Sequence, residues 1–157
     1  MENVNIILNN KKYKQALKKI EEYEKDREFC NHTIEHFMDV SRIAYIMILE
    51  ENLNFSKEIV YAIGLLHDIG RVKQYEEGIH HDIASVEISR EILKETSFTK
   101  NEINIILNGI ANHRKESDNK LEEIIYKADK LSRQCFNCKA EKECYWSNEK
   151  KNFKITY

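Results

Sequence analysis

Proline is absent from this sequence, and glycine occurs only four times in 157 residues. Both residues punctuate turns, so their scarcity excludes a turn-rich β-sandwich and favours helices joined by short polar links. No stretch approaches the ~20 consecutive apolar residues that a membrane span requires. The opening MENVNIILNNKK has too short an apolar run, and the wrong order of regions, for a secretory signal. A cytoplasmic location is the expectation that follows, and with it reduced cysteines unless they bind a metal. An excess of one charge is lacking as well: 25 basic residues stand against 27 acidic ones, a net charge of −2. That leaves no broad basic face for nucleic acid, while a local basic pocket stays compatible. What remains is 41% hydrophobic and 33% charged, a globular composition. The length suits a single domain over 1–157.

Apolar residues recur at helical spacing almost throughout. Tyr13, Ala16, Leu17, Ile20 and Tyr23 mark a first helix. Phe37, Val40, Ile43, Ala44, Met47 and Ile48 mark a second, capped by Asn31 or Thr33. Ser56 opens a third along Ile59, Ala62, Ile63 and Leu66, which Gly70 stops. A polar stretch from Arg71 to His80 follows, turning at Gly78. Ile83 to Leu93 reads as a fourth helix. Thr99 with Glu102 three residues on is a capping-box signal for a fifth, along Ile103, Ile106, Leu107 and Ile110. Leu121, Ile124, Ile125 and Ala128 mark a sixth. The expected fold is thus all-α, a compact single-domain bundle of about six helices. A Cys- and aromatic-rich extension over 135–157 carries no clean period, and Asn152 to Tyr157 is either a short strand or extended chain.

Several polar residues continue the apolar stripes. His36 lies four before Val40, His67 four after Ile63, His113 three after Ile110, and Asp129 four after Ile125. Offsets of three and four share a helix face, so these groups point where the core is. Asp68 adjoins His67 at a helix end. A buried carboxylate costs several kcal/mol unless it is paired or binds a metal. A shared cation explains the whole set better than separate hydrogen bonds explain each member. Imidazole with carboxylate suits Mn, Fe, Co, Ni or Zn rather than Ca.

At this point the chain resembles the HD-domain phosphohydrolase superfamily over about residues 30–134. The resemblance is carried by His36-Phe-Met-Asp-Val40 and Ala62-Ile-Gly-Leu-Leu-His67-Asp68-Ile-Gly70-Arg71. It continues in His81-Asp-Ile-Ala-Ser-Val-Glu, Ile110-Ala-Asn-His113-Arg114 and Tyr126-Lys-Ala-Asp129-Lys130. It implies His36, His67, Asp68 and Asp129 around one metal, with His81 and His113 completing a second site and Asp68 bridging. Two positions stay open. The family's Gly-Ala pair is replaced here by Ser85-Val86, so His80 is an alternative to His81. His32, four before His36 on the same face, is an alternative at the first position, where Val40 four after His36 matches the family better; otherwise His32 lines the pocket or binds a phosphate.

The implied activity is hydrolysis of a phosphate ester or anhydride by a hydroxide held between two cations about 3.5–4 Å apart. Asp68 and Arg71 are the expected catalytic residues, and Arg71, Arg114, Lys130 and Arg133 the expected substrate-binding cations. The compact ligand spacing resembles that of HD phosphatases acting on nucleotides and dinucleoside polyphosphates. The Gly-Tyr-Pro signature of the cyclic-di-GMP enzymes is absent. Two rival readings are an HD-fold di-iron oxygenase and a non-catalytic nucleotide-binding module. In the extension, Cys135-Phe-Asn-Cys138 and Cys144 suggest a zinc or iron–sulfur knuckle, with Cys30 or a His as the fourth ligand if folding brings it near. The alternative is reduced thiols packing with Phe136, Tyr145 and Trp146, a surface that also suits a homodimer contact.

Overall fold

Eight α-helices and one 3-10 turn make up the regular structure of the computed structural model, which describes residues 1–157, and no strand forms. The helices are α1 (Glu2–Asn9), α2 (Lys11–Glu24), α3 (Ile34–Glu50), α4 (Lys57–Leu66), α5 (Arg71–Glu77), α6 (His81–Leu93), α7 (Lys100–Asn112) and α8 (Lys120–Leu131). The 3-10 turn spans Cys135–Asn137. The fold is therefore all-helical, with each of the six apolar stripes lying on one helix.

Two helices go beyond that count. α1 buries only Val4 and Ile7, and its eight residues, just over two turns, carry too few apolar positions to show a period. It is held by contacts from outside itself: Asn3 donates to the Glu58 carboxylate at the start of α4, and the N-terminal amine pairs with the same group at 3.0 Å. The expected polar stretch from Arg71 to His80 is likewise corrected. Its first seven residues are α5, which buries only Val72 and so offers no stripe. The turn at Gly78 is real, with φ of 72° in the left-handed region that a helix C-cap demands. Residues 152–157 form no strand.

Caps fix several boundaries. Asn10 Oδ1 accepts from the amides of Lys12 and Tyr13 at the head of α2. Thr99 and Glu102 form the reciprocal box at the head of α7. Thr33, not Asn31, is the N-cap residue of α3. α4 is apolar on all sides, burying Ile59, Val60, Ala62, Ile63, Gly64, Leu65 and Leu66. Such a helix belongs in the middle of a core. α3 and α7 pack against it, α8 lies on α3, and α6 lies on α7. No helix is long and apolar enough to cross a membrane. The consequence for chemistry is geometric: the end of α4 brings His67 and Asp68 into the interior, where neighbouring helix ends meet them.

Candidate metal centre

His67 and Asp68 follow the last turn of α4, where the final backbone carbonyls lack helical partners. His67 Nδ1–H donates to one of them, Gly64 O, at 2.7 Å. His113, at the end of α7, repeats the arrangement with Ile110 O at 2.6 Å. His81, at the head of α6, donates from Nδ1 to Gln74 Oε1 of α5 at 3.0 Å. Each bond fixes one tautomer and turns the Nε2 lone pair inward. All three Nε2 atoms are buried with no hydrogen-bond partner. Buried polar atoms left unsatisfied in this way are costly, and three aimed at one place ask for a cation. His36 differs in part: its Nδ1 lies 3.1 Å from Ser132 Oγ, which donates to Asp129 O at 2.7 Å, but its Nε2 has a partner, Arg133 Nη2 at 3.1 Å.

Two groups of ligand-type atoms result. His36, His67, Asp68 and Asp129 place one atom each within 4.8 Å of one another, and so do Asp68, His81 and His113. Asp68 belongs to both and divides its oxygens between them. Oδ2 lies 3.4 Å from His67 Nε2, while Oδ1 lies 3.3 Å from His81 Nε2 and 3.7 Å from His113 Nε2. The donor set fits divalent transition metals, and the shared carboxylate fits a pair of them. The structure thus gathers all six residues of the expected ligand set. It also separates the two adjacent histidines: His81 is fully buried, whereas His80 is exposed and bonds Asp82 at 2.5 Å.

Electrostatics point the same way. Burial disfavours charge on His36 and His81 and pushes both down to about 3, although Asp129 and Asp68 respectively pull against it. Burial opposes a charge on His67 too, but the Asp68 and Asp129 carboxylates prevail and lift it to about 9. The charge that holds a proton there is the charge a metal cation would satisfy. Burial would raise Asp68 and Asp129, yet the surrounding imidazoles and guanidiniums hold both well below the usual carboxylate range.

The second face of the centre opens into a cavity of about 360 Å³. Asp68, Asp129, His32 and His113 line it, together with Arg27, Arg71, Arg114, Lys130, Arg133 and Lys150. All four expected substrate-binding cations are therefore present, and two more join them. Arg71 Nε donates to Asp68 Oδ1 at 3.2 Å, and Arg133 Nη2 to Asp129 Oδ1 at 3.3 Å. Lys130 Nζ lies 3.4 Å from the centroid of the Tyr126 ring. Burial lowers this ammonium; Asp129 opposes the shift, and Arg114 and Arg133 reinforce it. Phe29, Tyr126, Tyr145 and Trp146 supply aromatic wall.

Sequence reasoning missed several of these residues. Gln74 joins Arg71 to His81, accepting from both. Glu24, almost fully buried, accepts from the His32 backbone N–H at 2.6 Å and from Tyr75 Oη at 2.7 Å, with His32 Nδ1 also at 2.7 Å. His32 Nε2 then lies 3.3 Å from Asp68 Oδ2. Burial would raise Glu24, but these partners push it down to about 2.

The HD domain family matches residues 33–134. The chain belongs to the HD-domain family. Metal-dependent phosphohydrolases make up most of this superfamily, and the buried His/Asp centre fits that chemistry. The chain is also similar to an uncharacterized protein of Clostridium beijerinckii, 50% identical over 157 residues and over the full length of both chains. No solved structure matches it significantly. Glu24 and His32 lie just before the matched HD segment, and Tyr145, Trp146 and Lys150 lie after it, so both flanks contribute to the cavity.

Proposed function

We propose that this HD-domain protein is a metal-dependent phosphohydrolase, cleaving a phosphate ester or anhydride of a nucleotide or dinucleoside polyphosphate. The observation that carries the reading is the placement of two metal-type ligand groups, sharing Asp68, at the floor of a cavity lined by six cations. When bound, divalent cations supply Lewis acidity and lower the pKa of water to near neutrality. His36, His67, Asp68 and Asp129 would hold one, and Asp68, His81 and His113 the other.

The remaining work falls to side chains of the chain itself. Phosphoryl transfer spreads negative charge over the transferred group, so positioning and charge stabilisation dominate its catalysis. Arg71 is anchored to Asp68 and Gln74, and Arg133 to Asp129 and the Asn31 carbonyl. Each guanidinium keeps further N–H donors for phosphate oxygens. Lys130 and the exposed Arg114 add charge further out, where a second or third phosphate would reach. Phe29, Tyr145 and Trp146 offer flat faces on which a base stacks. The cation-rich wall favours a phosphorylated substrate, and iron content with an oxygen-dependent product would distinguish the di-iron oxygenase reading.

The test is phosphate release from a panel of nucleotides, dinucleoside tetraphosphate and sugar phosphates, in the presence of Mn, Co or Ni. Asp68→Ala should abolish release while leaving the far-UV circular dichroism of a folded helical protein. Full activity in that variant, or in metal-stripped protein, would reject the reading. Tight nucleotide binding with no turnover under any metal would point instead to a binding module.

A further inference from the structure

The extension over 135–157 poses a physical problem. Only Cys135 and Ala140 within it are buried, and beyond the single 3-10 turn it has no regular structure. Twenty-three residues with so little core need another fastening. Beyond its first turn the extension is linked to the body by Asn152, whose Nδ2 donates to the carbonyls of Lys130 and Arg133, and within the extension Phe136 N–H donates to Asn152 O. Neither holds the stretch that carries Cys138 and Cys144.

All four cysteines of the chain line one cavity of about 410 Å³, although Cys30 comes from a segment more than a hundred residues away. All four are free thiols. Three of them follow a period of three along chained turns: Cys138 N–H donates to Cys135 O, Glu141 N–H to Cys138 O, and Cys144 N–H to Glu141 O, each at 3.3 Å. Cys138 itself is extended, with φ of −81° and ψ of 124°, so these turns form no continuous helix, yet all three residues line the one cavity. Glu141, between Cys138 and Cys144, pairs with Lys151 Nζ at 2.7 Å. Cys30 lines the same cavity. Burial raises its thiol pKa, Arg133 opposes this, and Cys135 and Cys138 raise it further.

We propose that Cys30, Cys135, Cys138 and Cys144 form a tetrathiolate site for one Zn²⁺, separate from the His/Asp centre, that fastens the extension to the body of the protein. The spacing of Cys135 and Cys138 is that of a zinc knuckle, and a fastening role suits a redox-inert ion. The site also has a position in the architecture. Cys30, Cys144 and Trp146 line both this cavity and the cation-lined one beside the His/Asp centre. The ion would stand in the partition between them and hold Trp146 in the wall. Only the His/Asp groups are gathered at ligand spacing, so the ion must draw the four sulfurs in to Zn–S distances of about 2.3 Å.

The experiment separates the two centres. Zinc content is measured on purified full-length protein, wild type and the Asp68→Ala, Cys30→Ser and Cys138→Ser variants. Wild type should hold one zinc per chain more than either serine variant, and Asp68→Ala should keep that thiol-held zinc. In wild type, a mercurial thiol reagent should release that zinc as four thiols become reactive, and the emission of Trp146, the only tryptophan, should shift at the same time. All zinc lost from Asp68→Ala, a zinc content undiminished in both serine variants, or four freely reactive thiols in zinc-loaded protein would overturn the site. Unchanged Trp146 emission on zinc release would overturn its role in the wall. Visible absorption from an iron–sulfur cluster would overturn the assignment to zinc. Should the serine variants not fold, cobalt exchanged into wild-type protein must show intense sulfur-to-cobalt charge transfer, and its absence would equally overturn the proposal.

Discussion

Replacing Gly70 by alanine should cost the protein one of the two metals proposed for its His/Asp centre. Gly70 follows Asp68 by two residues and N-caps α5, with an ordinary φ of −72°. Its requirement is space, not backbone freedom. A Cβ there would lie 2.2 Å from Ser85 N, 2.4 Å from His81 O and 2.7 Å from Ala84 C. All three are backbone atoms of α6, so no side chain can swing aside. Ordinary van der Waals separations are about 3.5–4 Å, so α6 must retreat by roughly an ångström. The Gly70 N–H to Ser85 Oγ bond, 2.8 Å long, would be stretched or lost. Overpacking at about 1–3 kcal/mol and a lost hydrogen bond at about 1 kcal/mol together give roughly 2–4 kcal/mol. In a chain of this size that lowers Tm by about 5–15 °C. The functional consequence is selective. α6 carries His81, whose Nε2 lies 3.3 Å from Asp68 Oδ1, whereas His36, His67 and Asp129 stand on other elements. Gly70→Ala should therefore bind one Mn where wild type binds two, measured by equilibrium dialysis with elemental analysis alongside scanning calorimetry. A wild-type Tm, or two ions held with wild-type affinity, would refute the reasoning.

Other perturbations test different parts of the account. Glu24 is depressed from 4.5 to about 2, so it contributes stability above pH 4.5 that is lost as pH falls toward 2. At about 1.4 kcal/mol per unit, that contribution is roughly 3 kcal/mol. Glu24→Gln should be less stable than wild type at neutral pH, and the gap should close through that window in urea titrations at a series of pH values. Tyr13 Oη is buried without a partner, and burial raises the phenol further above its usual range. Tyr13→Phe should therefore leave stability unchanged or raise it by up to about 1 kcal/mol, read by thermal unfolding. Arg71→Lys keeps the charge but cannot serve both Asp68 and Gln74, and should lower kcat/KM on the cleaved nucleotide by about 100-fold.

Much of this arrangement is legible in the sequence because helices have a sharp period. Six stripes show themselves, and the polar residues that continue them, His36, His67, His113 and Asp129, are the ones the interior gathers. Asp68 is read only as the neighbour of His67. Glu24 carries the same signal, four residues after Ile20 on the α2 stripe, but it stands apart from the histidine-centred pattern and only packing joins it to His32. α1 and α5 are too short to show a period, and their stability comes from partners elsewhere in the chain. The tautomers are equally hidden, since Gly64 and Ile110 act through carbonyls that become available only where helices end. The choice of His81 over His80 rests on burial, which one step along the chain reverses. The cation-lined wall joins residues from 27 to 150 and exists only in three dimensions.

The central claim is that Asp68 stands between two metals. Crystals equilibrated with Mn, with anomalous scattering recorded at the manganese edge, test it most directly. Two peaks should lie about 3.5–4 Å apart, one among His36, His67 and Asp129, the other beside His81 and His113, with Asp68 contacting both. A single peak, or metal bound away from Asp68, would contradict it.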